Sequence, residues 1–100
     1  MPTTVYIYPA RGRFRGGEYQ WESPMPGAKH EFMLFLRQEN DEAQQKEALA
    51  EIGRYGFVDV QFIAQGRLIN VDMLQLPDLA NFRRNYEDAL RDGASIAWYR

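Results

Sequence analysis

The run Phe32-Met33-Leu34-Phe35-Leu36 restricts this chain more than any other stretch. Side chains alternate along a strand, so Phe32, Leu34 and Leu36 point one way and Met33 and Phe35 the other. Both faces are therefore apolar, the pattern of a central strand covered on each side. The 100 residues leave room for one core, so the expectation is a single α+β domain spanning 1–100, with this strand at its centre. A chain of that length buries about two-thirds of the surface its unfolded form exposes, enough to fold without staples.

The flanking patterns supply the rest of the fold. Thr4 to Tyr8 alternates Val5 and Ile7 against Tyr6 and Tyr8, and Pro9, which has no N–H to give a ladder, is expected to end that strand or mark an edge. Residues 9–28 then read as one long loop, with a short strand available at Glu18 to Glu22. A first helix is expected over Asp41 to Arg54, with Asp41 as N-cap and Gln44 at N3. Its apolar stripe is Ala48, Leu49 and Ile52, and Gly53 or Gly56 stops it.

Phe57 to Ala64 and Arg67 to Leu74 alternate on either side of Gln65-Gly66, a two-residue hairpin candidate. Pro77 suits the first position of a second helix, whose stripe runs Leu79, Phe82, Tyr86, Ala89 and Leu90 up to Gly93. Ser95 to Tyr99 closes the chain as a strand. The order β-β-α-β-β-α-β implies a mostly antiparallel sheet of about five strands with two helices on one face, a split βαβ or ferredoxin-like arrangement. In that arrangement the second face of the central strand needs the loop aromatics or a partner, so a homodimer through a sheet edge or face is a further expectation.

Composition excludes several classes. Hydrophobic residues make up 45% and charged residues 26%, which rules out a disordered or collagen-like chain. No apolar run approaches the roughly 18 residues of a membrane span, and the N-terminus carries no secretory signal pattern. Cysteine is absent, which removes disulfides, thiolate catalysis and cysteine-based zinc sites and favours a reducing, cytoplasmic setting. The net charge of −2 is ordinary, but its distribution is not. Arg11, Arg13 and Arg15 form a basic tip, whereas Glu39, Asp41, Glu42, Glu47 and Glu51 face only Lys46 across the first helix.

The residues that point to binding lie in the long loop. Arg11, Arg13 and Arg15 share one side if extended, and guanidinium forks grip carboxylates or phosphates bidentately. Phe14, Tyr19 and Trp21 are apolar anchors beside them, and Tyr, Trp and Arg are the types enriched at binding hot spots. On this reading Arg13→Glu or Trp21→Ala weakens partner capture and leaves thermal stability nearly unchanged. The acidic total argues against nucleic acid as the ligand and leaves it an alternative through the Arg11 to Arg15 loop.

Catalytic signals are sparse. Counting outward from Gln65-Gly66 sets Asp59 opposite Asp72, and two facing carboxylates are able to hold a cation or raise one pKa. A small ferredoxin-like enzyme or ligand-binding dimer using that pair is the enzyme-class alternative. His30 stands alone before a strand, with no second imidazole to share a metal. No phosphate loop, nucleophile elbow, zinc-protease helix or dinucleotide fingerprint occurs, so no cofactor or metal is expected. The stretch Arg54 to Phe62 resembles a turn of small ferredoxin-like proteins acting on RNA or DNA. Those carry a catalytic aspartate at the end of the first strand, where Tyr8-Pro9 stands here, so no residue role follows from the resemblance. The leading expectation is a non-catalytic protein-binding module, of the inhibitor or immunity type that docks on a toxin or enzyme.

Overall fold

The computed structural model describes residues 3–21, 23–39, 42–69 and 82–99. They form β1 (Thr4–Phe14), β2 (Lys29–Gln38), α1 (Gln45–Tyr55), β3 (Phe57–Phe62), β4 (Arg67–Ile69), α2 (Arg83–Asp92) and β5 (Ala94–Tyr99). The architecture is α+β, with a five-stranded, wholly antiparallel sheet in the order β3-β1-β2-β5 and β4 paired to β1 beside β3. Among the described residues no helix is long and apolar enough to cross a membrane.

β1, not β2 alone, is the spine. It continues through Pro9 to Phe14, pairing along its whole length with β2 and on its other edge with β3 and β4. A proline inside a strand with neighbours on both sides is normally excluded, because it leaves one ladder bond unmade. Here the cost is avoided locally. The Pro9 carbonyl accepts from the Ile63 N–H at 2.9 Å, so the side of Pro9 that lacks a donor faces the β3/β4 edge. On that edge the ladder is broken: the three-residue step from Ala10 back to Ile7 is matched by a five-residue step from Phe62 to Arg67. Residues 63–66 bow out where the missing N–H would have pointed.

That break overturns the expected hairpin. Gln65-Gly66 is not a two-residue turn; β3 and β4 are successive pieces of one edge, both antiparallel to β1. The direct Asp59–Asp72 pairing was counted from that hairpin, and Asp72 lies outside the described residues. Asp59 instead sits in a bulge where the β1–β3 register shifts, with φ of 54°.

The helices lie on opposite faces, which corrects the one-face, ferredoxin-like expectation. Tyr6, Tyr8, Ala10, Phe14, Phe32 and Leu34 pack with Ala48 and Ile52 of α1 and with Phe57. Val5, Ile7, Phe35 and Ile69 pack with Ala89 of α2, flanked by Met33, Phe82, Tyr86 and Leu90. The alternation along β1 and β2 sorts these sets by parity, so each face has its own helix. The doubly apolar strand is covered on both sides as its pattern requires. Leu49 is exposed, because Tyr55 and not Leu49 completes the inward stripe with Ala48 and Ile52. Glu18 to Glu22 forms no strand among its described residues; the segment docks on α1.

α1 starts later than its acidic run suggests, at Gln45, and the expected N-cap Asp41 lies outside the described residues. Its first turn is anchored by the sheet. Tyr8 is fully buried, and its hydroxyl donates to Oε1 of Gln38 and accepts from the Gln44 N–H at 2.7 Å. Nε2 of buried Gln38 donates to the Glu42 carbonyl at 2.7 Å. A buried phenol in this position serves as the helix cap that no local side chain provides. Tyr8→Phe keeps the packing and removes the bonds to Gln38 Oε1 and the Gln44 N–H, so urea unfolding is expected to show a loss of about 1–3 kcal/mol. Hydrogen exchange is expected to quicken first at Gln44 and the opening turn of α1.

Candidate functional site

α2 covers only one end of its face. Beyond Pro9 and Met33 the same face continues with no helix over it among the described residues. There the register lines up Gln61 (β3), Arg11 (β1), Glu31 (β2) and Tyr99 (β5) in one row across the sheet. The next row holds Arg13 opposite Lys29. All six side chains are exposed. Arg15 follows at the rim, where Arg13, Arg15 and Asp59 line a cleft of about 430 Å³ with Phe14, Pro26 and Gly27. Among the described residues, Arg11, Arg13, Arg15 and Lys29 make no side-chain hydrogen bond or ion pair. Four cations thus converge on one end of the molecule, tempered by Glu31 and Asp59.

The segment after Arg15 is not a free arm. A helix leaves its last carbonyls unpaired, and here residues 15–21 take them. The Arg15 and Gly16 N–H groups donate to the Gly56 carbonyl at 2.8 and 3.2 Å, and the Tyr19 N–H to Arg54 O at 3.2 Å. The Trp21 indole donates to Tyr55 O at 3.0 Å. Gly56 terminates α1 in the left-handed region at φ 110°, and the backbones then approach so closely that a Cβ on Gly17 would sit 2.7 Å from the Gly56 nitrogen. The docked loop carries a second surface. Tyr19, Gln20, Trp21, Glu51, Tyr55, Asp92 and Ala94 line a cleft of about 310 Å³.

The sequence-derived candidates therefore divide. Arg11 and Arg13 belong to β1 and stand on the bare sheet face. Arg15 is exposed at its rim. Phe14 is buried, stacked edge-on to Phe57 at 5.4 Å and Trp21 at 6.0 Å, and is a core residue. Tyr19 and Trp21 sit in the cleft beside α1, with the Tyr19 hydroxyl donating to Glu51. His30 lies in β2 against Trp98, with Nδ1 2.9 Å from the Tyr99 carbonyl, which fixes the proton on Nδ1. Lys29, Gln61 and Tyr99 on the sheet, and Tyr55 and Asp92 in the cleft, were not among the candidates. An uninterrupted β1–β2 hairpin, counted back from the Phe32 strand, would have set Lys29 opposite Arg13, whereas Gln61 and Tyr99 join the row only through the β1–β3 and β2–β5 registers. The i,i+4 pair Glu51/Tyr55 on α1 was the available signal for the second.

Comparisons with protein-family models, with curated proteins and with solved structures find no match to this chain.

The half-buried indole changes one expectation. Trp21→Ala removes contacts with Phe14, Tyr55 and Phe57 and a bond to an α1 carbonyl, so a loss of about 2–4 kcal/mol by chemical denaturation is expected. Arg13→Glu, exposed and unpaired, is expected to move stability by less than about 0.5 kcal/mol. Equal, small effects from both substitutions would mean that the loop does not dock.

Proposed function

We propose that this chain is a non-catalytic binding module that docks on the acidic surface of a protein partner through the bare end of its sheet. The observation that carries the reading is a set of cations with no side-chain partner among the described residues, Arg11, Arg13 and Lys29 on the exposed rows with Arg15 at the rim. Arginines without internal partners are ready to form bidentate bonds to carboxylates, and their place on strands keeps them preorganised. Tyr99, exposed in the same row, offers an aromatic anchor. Glu31 and Asp59 inside the patch suit a partner of mixed charge, where they fix register, and oppose a uniform polyanion such as nucleic acid. An inhibitor or immunity-type protein, occluding a toxin or enzyme in a reducing cytoplasm, is the form of module that this size and the absence of cysteine favour.

The test uses fluorescence anisotropy with a labelled Glu/Asp-rich peptide, and with single- and double-stranded oligonucleotides of similar charge. The peptide is expected to bind and to weaken with added salt. Arg11→Glu/Arg13→Glu is expected to lower its affinity by at least about tenfold while the melting temperature stays put, since two charge-assisted contacts are reversed. Tighter binding of the oligonucleotides would transfer the site to nucleic acid. Unchanged peptide affinity in the double variant would overturn the reading.

A further inference from the structure

The cleft beside α1 differs in chemistry from the basic end. Tyr55 lies between two other rings, with Tyr19 at 4.8 Å and inclined 74° to it, and Trp21 at 5.3 Å and inclined 85°. Among the described residues Tyr19 and Trp21 make no ring contact with each other, and both line the cleft with Tyr55. Glu51 and Asp92 complete the lining. The volume, about 310 Å³, is at the lower limit for ligand pockets, which run from about 300 to 1,000 Å³, and suits a head group more than an extended molecule.

The charges around it are unequally matched. Arg91 holds Asp92 through Nε at 3.0 Å and Nη2 at 2.9 Å, and also reaches Asp88. Arg54 comes within 4.0 Å of Glu18, and its guanidinium also acts on the Tyr19 hydroxyl and on Glu51. Glu51 has only the neutral Tyr19 hydroxyl as a donor and, among the described residues, no ion pair. The phenol of Tyr55 is raised well above its ordinary range, first by burial and then by Glu51, Tyr19, Asp92 and Asp88. Burial, the first of these causes, opposes charge of either sign, and the carboxylates add a field that favours a cation. A cleft with aromatic walls and a carboxylate in no direct ion pair attracts a cation too bulky and weakly hydrated for water to hold, because ring quadrupoles and carboxylate act together.

We propose that this cleft is a binding site for an alkylammonium group of the quaternary or methylated kind, held against the rings of Tyr19, Trp21 and Tyr55 and neutralised by Glu51. Such a group reaches the site free, as in choline, or on a peptide, as in trimethyl-lysine. The site is separate from the basic end of the sheet and does not rest on it.

The experiment follows the Trp21 indole N–H and the Tyr19 and Tyr55 ring signals by NMR. The intact protein is titrated with choline, with its uncharged isostere 3,3-dimethylbutan-1-ol, and with a short trimethyl-lysine peptide. Choline is expected to saturate those shifts and to bind about tenfold or more tightly than the isostere, the ratio that a cation–π contact of ordinary strength produces. Tyr19→Ala keeps its backbone bond to Arg54, and Glu51→Gln keeps an acceptor for Tyr19. Each is therefore expected to melt close to the parent and to lose choline binding by about fivefold or more. Arg11→Glu/Arg13→Glu is expected to bind choline as the parent does. A peptide that binds more tightly than choline identifies a protein-borne group, and parity identifies the free one. Equal binding of choline and its isostere, shifts that never saturate, or full affinity in both cleft variants would overturn the proposal.

Discussion

A phenol hydroxyl placed in the middle of an apolar face must find partners or cost several kcal/mol. Tyr8 is that phenol, and the position of α1 depends on how it is satisfied. Its hydroxyl accepts the Gln44 N–H and donates to Gln38, whose amide in turn holds the Glu42 carbonyl. One side chain thus joins β1, the end of β2 and the start of α1. Burial raises the Tyr8 phenol above its ordinary pKa while the Gln44 N–H opposes the shift, so the neutral donor form is kept. The helix starts where this relay allows it, several residues after its acidic run begins.

The same strand explains what could and could not be read from the residues. The central strand, the apolar stripe of α2, its Gly93 terminus and the closing strand followed from period and glycine placement, because those signals are local. Pro9 was misread for a physical reason. A missing donor excludes a central strand only when the facing strand is continuous, and here the facing edge is broken at residues 63–66. Nothing near Pro9 encodes that gap; it lies more than fifty residues along the chain. The alternation of residues 57–69 around Gln65-Gly66 fits a hairpin and a kinked edge equally well, since both keep a period of two. Tertiary pairing decided between them.

Ending β1 at Tyr8 also hid the candidate surface. Read as a loop, Arg11 to Arg15 is a basic tip on a flexible arm. Read as strand, Arg11 and Arg13 become fixed points on a sheet face with Glu31 and Lys29 as cross-strand neighbours. The aromatic load sorts in the same way. Tyr6, Tyr8 and Phe14 are interior, while Tyr19 and Tyr99 remain accessible. Placing one helix on each face has a further consequence. α2 is only ten residues long, and among the described residues no helix covers the rest of its face, where the polar rows appear.

The two surfaces are joined by one segment. Arg15 stands at the rim of the basic end, and Tyr19 and Trp21 form two walls of the aromatic cleft. Between them, residues 15–21 are held by the carbonyls of Arg54, Tyr55 and Gly56 at the end of α1. An ordered helix terminus is therefore a condition for both surfaces at once. The carbonyls left over when a helix stops are its most accessible acceptors, and a loop with two glycines in succession is thin enough to reach them. Substituting the Gly17 Cα would separate the loop from α1, freeing Arg15 and removing two of the three aromatic rings together. Charge placement follows from the same arrangement. The loop begins among cations borne by β1 and ends beside carboxylates borne by α1 and α2, so a single short turn carries the chain from one field of the molecule to the other.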